Sequence, residues 1–515
     1  MPKDRRPLRL RENKHPLLYE VNARVLLTEL GRTQGAPVAL GAIPDSMLDQ
    51  WAENGFDAIW LMGVWTTGEI GRQLALNSPG LQEEYRKAMP GFTPADVVSS
   101  PYAVSAYEAS RALGGPVQLA KLRQRLSDRG LGLVLDYVVN HTARDHAWVG
   151  QHPEYFIQGT PAQLQAEPGS WYAAETSNGK KILAFGRDPM FPAWTDTVQI
   201  NHLHAAARKA LIETLLSIAR QCDGVRADMA MLVLRDVFLR QWGEGSLPEE
   251  KDRAEGEFWI SAIAAVRSVY PNFLFIAEAY WDLEWPLQQL GFDYTYDKKL
   301  YDRMRREGAG GVRDHLHAEM AYQLHSLRFI ENHDEQRSAA VFTSDPWHYA
   351  SALIMSTVPG MVLIHDGQIE GRTHKHPVQL IRRADEPPAE HTRRFYTSLL
   401  RCVKDAGFRN GEWQMLEIGP AWHDNPSWES YLAFNWRGAN GTVHLVVVNY
   451  APRSGQCYVM VPLTDADGPV LEFRDLMSEA VYVRDRAGLA SRGLYIDLPG
   501  YGFHLFTVGH PRRPG

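Results

Sequence analysis

The stretch Gly224-Val225-Arg226-Ala227-Asp228 places a guanidinium two residues from a carboxylate. On a strand, residues two apart project from the same side. A permanent cation beside a carboxylate favours the ionised form, and an ionised carboxylate held this way can act as a nucleophile at neutral pH. An Arg-x-Asp pair can equally tie a loop to a strand, so the rest of the chain decides its meaning. Three further clusters have the same character. Asp136 is followed by Asn140-His141, Glu278 follows the apolar run Phe273-Leu274-Phe275-Ile276-Ala277, and Asn332-His333-Asp334 follows Leu327-Arg328-Phe329-Ile330. Cleavage of a glycosidic bond needs one carboxylate to attack and one protonated carboxyl to release the leaving oxygen. In that chemistry Asp228 is the nucleophile. Glu278, partly desolvated behind its apolar run, takes the raised proton affinity of a general acid. Asp334 grips ring hydroxyls and steadies positive charge, and His141 and His333 donate to sugar hydroxyls. Asp136 is read as holding Arg226 or a histidine in place.

These groups can act together only if the elements before them share one end. Leu17 to Glu29 reads as a strand, Pro44 to Asn54 as a helix and Ala58 to Met62 as a strand buried on both faces. A long polar passage leads to Ser100 through Tyr107. Val117 to Arg129 has helical periodicity, with Gly130 where a C-cap belongs, and Leu131 to Val139 is the next strand. Ala205 to Gln221, Glu257 to Val269, Trp347 to Thr357 and His391 to Val403 read as helices between the remaining strands. Strand and helix alternate about eight times, which predicts a parallel sheet and, over some 400 residues, a closed (β/α)8 barrel. A doubly wound open sheet is the rival, weakened by the lack of a GxGxxG turn after an early strand. Thr142 to about Thr197 is rich in aromatics, Gly and Pro with weak periodicity, and reads as an inserted subdomain. After about Gly407 short β-type segments follow one another with no strong helix, predicting an antiparallel β-sandwich. The expected division is 1–141 and 201–407 for the barrel, 142–200 for the insertion and 408–515 for the sandwich. In a barrel the clusters converge at the C-terminal mouth.

Bulk properties narrow the function. The 515 residues are 44% hydrophobic and 22% charged, ordinary for a folded protein of two or three domains. A formal net charge of -7 offers no footprint for nucleic acid or an anionic membrane. The basic N-terminal stretch Met1 to Asn13 lacks an apolar core, so no secretory signal is expected, and no apolar run is long enough to span a bilayer. Cys222, Cys402 and Cys457 are far apart and odd in number, which suits a reducing, cytoplasmic setting and argues against a thiolate metal site. The HxH pairs His202/His204, His315/His317 and His374/His376 each lack a third ligand and are read as surface or capping residues. Trp60 is read as core, while Trp171 and Trp194 stand open between core and cleft. Arg328 is read either as holding the Asp334 loop or as a surface ion pair, and Glu335 as pointing away from Asp334.

Taken in order, these motifs resemble those of glycoside hydrolase family 13, the α-amylase superfamily. The four are Asp136-Tyr137-Val138-Val139-Asn140-His141, Gly224 to Asp228, Ile276-Ala277-Glu278 and Phe329-Ile330-Glu331-Asn332-His333-Asp334. Val198-Gln199-Ile200-Asn201 is a weaker fifth, and His365 to Gln368 is similar to the turn after the eighth strand. The resemblance implies a nucleophile at Asp228, an acid/base at Glu278, a transition-state stabiliser at Asp334, and at Tyr102 a ring that stacks on the sugar. It implies a retaining enzyme acting on α-glucosidic bonds through a glycosyl-enzyme. Met229-Ala230-Met231-Leu232 stands where many endo-acting members carry Lys-His, favouring short α-glucosides or malto-oligosaccharides. Asn140 matches a calcium ligand of many amylases, but the insertion shows no acidic partner pattern, so no metal or other cofactor is expected. A transglycosylase or isomerase of the trehalose-synthase kind shares every residue named. A non-catalytic binding subunit of the same fold is the remote alternative. The expected partner is a small carbohydrate, with no nucleic acid and no membrane; oligomeric state is left open.

Overall fold

The computed structural model describes residues 13–463 and 468–510. The basic stretch up to residue 12 lies outside the described residues. Eight parallel strands close into a barrel: β1 Leu17–Asn22, β2 Ala58–Met62, β3 Gly132–Val138, β4 Gly224–Asp228, β5 Leu274–Ala277, β6 Tyr294–Tyr296, β7 Ser326–Arg328 and β8 Met361–His365, with β8 pairing back to β1. Every residue of β2, β3, β4, β5 and β8 is buried, because the barrel interior takes one face and the helices take the other. That two-sided burial explains their near-continuous apolar runs. Arg226 and Asp136, charged and directly opposite each other in the β3–β4 register, are exceptions within those runs, and Asp228 and His365 end theirs.

Two segments differ from their sequence reading. The run after Asn22 is a helix, Ala23–Gln34, not a continuation of β1. The Asn22 side chain accepts from the backbone N–H of Arg24 (3.1 Å) and Val25 (3.3 Å), so this N-cap overrides an apolar run, Val25-Leu26-Leu27, that suits either structure. The polar passage before Ser100 holds two helices, Glu69–Asn77 and Pro79–Ala88, the second carrying Pro at its first position behind a Ser78 cap.

Between β3 and β4 the chain forms a three-stranded antiparallel sheet from Gln158–Gly159, Trp171–Thr176 and Gly179–Ala184. A two-stranded ribbon, His141–Ala143 with Thr197–Gln199, ties this excursion back to the end of β3. At the other end of the chain a six-stranded and a three-stranded antiparallel sheet pack together, and one short helix, Arg486–Arg492, interrupts the strands. Trp436 joins sandwich to barrel. It is 1% exposed, its Nε1 donates to the carbonyl of Thr357 at 2.6 Å, and the His15 ring meets it edge-on. A tryptophan buried to this extent contributes up to roughly 4–6 kcal/mol from area alone, so the seam is a packed interface rather than a loose tether.

Candidate active site

The C-terminal ends of the barrel strands open into a cavity of about 800 Å³, whose lining includes Tyr102, His141, Asp228, Glu278 and Asp334. The ends of three separate strands, β4, β5 and β7, therefore bring the three predicted carboxylates to one mouth. Arg226 is the hub. It is 1% exposed; its Nη1 lies 2.6 Å from Asp228 Oδ1 and its Nη2 lies 2.8 Å from Glu278 Oε2. Asp136 Oδ1 is 3.7 Å from Nη1, and Nε donates to the Tyr296 hydroxyl at 3.2 Å. The faces of Trp60 and Tyr102 lie 5.2 and 5.3 Å from the guanidinium carbon. Local sequence makes this possible. At Gly224 a Cβ would meet Leu274 Cβ at 2.6 Å and its carbonyl oxygen at 2.9 Å, so glycine lets β4 lie close to β5 and brings Arg226 level with Ile276.

Beyond Asp228 the backbone turns sharply. Met229 adopts φ 45°, ψ 45°, unusual for a residue with a side chain and costing on the order of 1–2 kcal/mol. The turn aims its N–H at Glu278 Oε2, 2.6 Å away, while the Tyr280 hydroxyl donates to Oε1 at 2.8 Å. Burial raises the Glu278 carboxyl; Arg226 opposes this, Asp228 and Asp334 reinforce it, and the balance is about 7. Burial likewise lifts Asp136 to about 7 despite Arg226 and His333. Asp136 accepts from Trp60 Nε1 at 3.2 Å and does not line the cavity.

His333 is buried behind Asp334 and Tyr102, both of which line the cavity. Its Nδ1 donates to Glu20 Oε1 at 2.5 Å, and its Nε2 faces Asp334 Oδ2 at 3.0 Å and the Tyr102 hydroxyl at 2.6 Å. Burial would lower its proton affinity, but Asp334 and Glu20 on either side raise it to about 10. Enclosure would in turn raise the Asp334 carboxyl, yet the charged imidazole holds it well below the usual carboxylate range. The Tyr102 ring stacks on His333 at 5.4 Å and 24°. His141, whose proton affinity burial lowers, sits under Trp194 at 5.1 Å.

Sequence reasoning missed several residues here. Glu20 left a signal, a carboxylate in the middle of the otherwise apolar β1. Tyr280, just after β5, and Tyr296, the last residue of β6, left none beyond their places at strand ends. Lys298 and Lys299, at the start of the helix Lys298–Arg306, line the cavity, as does Gln379 from the long segment after β8. Glu335 does not point away; it lines the cavity beside Asp334 and pairs with Lys298 at 3.2 Å. Arg328 is not on the surface, and its bonds go elsewhere than to the Asp334 loop. It is fully buried, paired with Asp297 and Gln323, and its Nε donates to the Pro359 carbonyl at 2.9 Å. Trp194 lines the cavity, whereas Trp171 packs into a small separate core between the insertion and the segment after β4, with Ile157, Ala184, Leu203 and Phe238. His202 is buried and bonded to the Val139 carbonyl, and His204 caps the helix Ala205–Ala219.

The residues around Asn140 do not fit a calcium ion. Asn140 Oδ1 accepts from Gln199 Nε2 at 2.9 Å, a neutral amide partner where a cation needs several more oxygens. Among the described residues no group of three His, Cys, Asp or Glu is placed to hold a metal.

A closed parallel barrel, a mouth lined by carboxylates gathered on one arginine, and an excursion after the third strand define a class: barrel proteins built for glycosidic-bond chemistry. The catalytic-domain model of the alpha-amylase family matches residues 46–419. The chain belongs to that family, within the glycoside hydrolase family 13 superfamily its motifs resemble. An alpha-amylase of Haloarcula japonica is 24% identical over 443 residues, covering 84% of this chain and 55% of that protein. An alpha-1,4-glucan:maltose-1-phosphate maltosyltransferase of Rhodospirillum rubrum is 25% identical over 288 residues, covering 54% of this chain and 33% of that protein. The chain thus spans about half or less of the length of the curated relatives it matches. Among solved structures, a maltogenic alpha-amylase of Thermotoga neapolitana superposes with a TM-score of 0.67 at 19% identity, covering 96% and 98% of the two chains. An alpha-amylase of Lactobacillus plantarum gives 0.65 at 18% identity, covering 96% and 99%. These two likenesses speak for the fold.

Proposed function

We propose that the chain is a retaining glycosidase acting on α-glucosidic bonds of short α-glucosides or malto-oligosaccharides. The observation that carries this reading is Arg226 holding Asp228 and Glu278 on its two terminal nitrogens, with Asp334 in the same cavity. Two carboxylates on one guanidinium fit the ~5–5.5 Å separation of a retaining pair. Asp228 Oδ attacks the anomeric carbon as the glycosidic bond breaks. Glu278 gives its proton to the departing oxygen. Its Oε2 is committed to Arg226 and the Met229 N–H, which leaves Oε1 as the proton-bearing atom. The resulting β-glucosyl ester on Asp228 is then opened by water, whose proton passes to the Glu278 carboxylate, and the α-configuration returns. Asp334 and Asp228 face the positive charge of the transition state, and the Tyr102 ring and His333 hold the sugar.

The lining includes ten carboxylates and three cations, Lys298, Lys299 and Arg303. That balance favours neutral glucosides over a phosphorylated donor such as the one in the name of the Rhodospirillum rubrum relative. No Lys-His pair follows Asp228; Ala230, Met231 and Leu232 are buried, and the lysine and arginine side chains that line the cavity, Lys298, Lys299 and Arg303, come from the segment after β6, which supports short substrates. The domain division at 141/142, 200/201 and 407/408 and a reducing, cytoplasmic setting belong to the same proposal. Three buried free thiols support that setting, and no described helix is long and apolar enough to cross a membrane.

Digestion of maltose, isomaltose, sucrose, trehalose and soluble starch, with products identified and the first-formed anomer read by NMR, tests the reading. Glucose released first as the α-anomer from one or more disaccharides is expected; a β-anomer first, or no turnover on any of them, removes it. A second reading, transfer to a sugar acceptor, is favoured by exposed aromatics at the cavity rim. Phe191 and Trp281 are 70% and 40% exposed and could hold an acceptor over the glucosyl ester. Trehalose or longer oligomers from maltose would select it.

Two further outcomes are expected. The rate kcat/KM falls tenfold per pH unit above about 7, because Glu278 must carry a proton and its proton affinity is centred there. With α-glucosyl fluoride, whose leaving group needs little protonation, that alkaline limb shrinks. Dialysis against a chelator leaves both activity and melting temperature unchanged, since the Asn140 amide is satisfied by Gln199; loss of either with recovery on adding calcium would contradict this.

A further inference from the structure

A second cavity, of about 700 Å³, lies on the seam between the barrel and the C-terminal sandwich, within the ~300–1,000 Å³ typical of small-molecule sites. Its charge is opposite to that of the mouth. Arg305, Arg306, Arg313 and Arg453 line it, against one carboxylate, Glu429. On a chain whose net charge is -7, four guanidiniums around one hollow run against the general balance. Arg313 is fixed, its Nη2 donating to the carbonyls of Glu429 (2.8 Å) and Tyr431 (2.7 Å). Arg305 has only a distant carboxylate, Asp302 at 3.9 Å, and Arg306 and Arg453 are exposed with no carboxylate partner within ion-pair distance among the described residues.

The cavity also has a rigid aromatic wall. Trp347 stacks on Tyr501 at 5.6 Å and 18°. Trp347 Nε1 donates to the Tyr450 hydroxyl at 3.0 Å, and that hydroxyl is bonded to the Met304 carbonyl at 2.9 Å, so the ring is held from below. Tyr501 keeps its place at φ 57°, a backbone conformation that side-chain-bearing residues seldom adopt. Gly308 and Gly310 give the opposite wall bare backbone; a Cβ at 310 would have nothing within 4 Å. Planar guanidiniums recognise phosphate oxygens in pairs, and flat aromatic faces take rings.

We propose that this seam cavity binds a phosphate ester of a ring-bearing metabolite, a sugar phosphate or a nucleotide, with the arginines on the phosphate and the aromatic wall on the ring. A neutral glucan would use the aromatics but would leave the charge of the arginines uncompensated. The site is independent of the glycosidase reading, because no residue of the barrel mouth takes part.

The test is calorimetric titration of the full chain, at low and at moderate salt, with ADP, glucose 1-phosphate, inorganic phosphate and maltotriose, repeated on Arg306→Glu and Arg453→Glu. Both positions are exposed, so the variants keep the fold, and their activity on maltose should match that of the unmodified chain. Binding of at least one phosphate ester, tighter than inorganic phosphate and weakened tenfold or more by either charge reversal and by added salt, is expected; the tighter ester identifies the ring. Overturning results are no ester binding, ester binding that survives both variants, or maltotriose as the only ligand lost on charge reversal.

Discussion

Replacing Asp228 with Ala, or Glu278 with Ala, lowers turnover of an unactivated α-glucoside by orders of magnitude while leaving the fold intact, and azide then tells the two apart. The loss expected at Glu278 is on the order of 10²–10⁴-fold, the usual worth of a placed general acid. It should be larger at Asp228, because the step itself is lost. Azide can enter the space of either missing carboxylate. In Asp228→Ala it attacks the sugar from the vacated face and gives the β-glucosyl azide. In Glu278→Ala it opens the ester on Asp228 and gives the α-glucosyl azide. The opposite pairing of anomer and variant would exchange the two roles. Unchanged rates in both variants would remove the assignment of this mouth.

Arg226→Ala carries the second largest expected effect, and it acts on stability as well as rate. The guanidinium is the shared partner of Asp228 and Glu278 and the nearest cation to Asp136, all buried. Removing one partner of a buried charge set costs about 3–5 kcal/mol, because the remaining charges stay desolvated. The sign with pH follows. Without Arg226, Glu278 and Asp136, which burial already raises, have folded-state proton affinities further above their unfolded values. They are then tolerated when protonated, and stability is lost as pH rises through those raised values. The melting temperature of Arg226→Ala should therefore lie several degrees below that of the unmodified chain at pH 8 and approach it near pH 4.5. Activity should fall on the order of 10²–10³-fold or more, since the nucleophile and the acid both lose a donor. An equal melting temperature at pH 8 would show that the three carboxyls do not depend on this cation.

The barrel and its mouth were legible because two-sided burial writes strands as apolar runs, and the polar residue that ends each run stands out against it. Asp228, Glu278 and Asp334 are of this kind. What stayed hidden depends on contacts between segments distant in sequence. Glu20 acquires its role from His333, more than 300 positions away, and nothing near β1 announces that partner. Lys298, Lys299 and Gln379 belong to segments whose own patterns are those of a solvated helix start and a loop; only closure of the barrel turns them inward. Arg328 was misread because an arginine on a short strand is indistinguishable from a surface residue until Asp297, Gln323 and Pro359 are seen around it. The helix Ala23–Gln34 is hidden for a different reason: a run of Val and Leu suits strand and helix alike, and the Asn22 cap decides between them.

The central claim is that a glucosyl unit is carried on Asp228 while Glu278 serves as acid and then base. Glu278→Gln treated with α-glucosyl fluoride bypasses the need for the acid but lacks the base that would activate water, so the ester should accumulate. Mass spectrometry of the intact chain should show one added glucosyl residue, and peptide mapping should place it on Asp228. A label on another residue, or rapid release of fluoride with the first product a β-anomer and no adduct on the chain, would contradict the account.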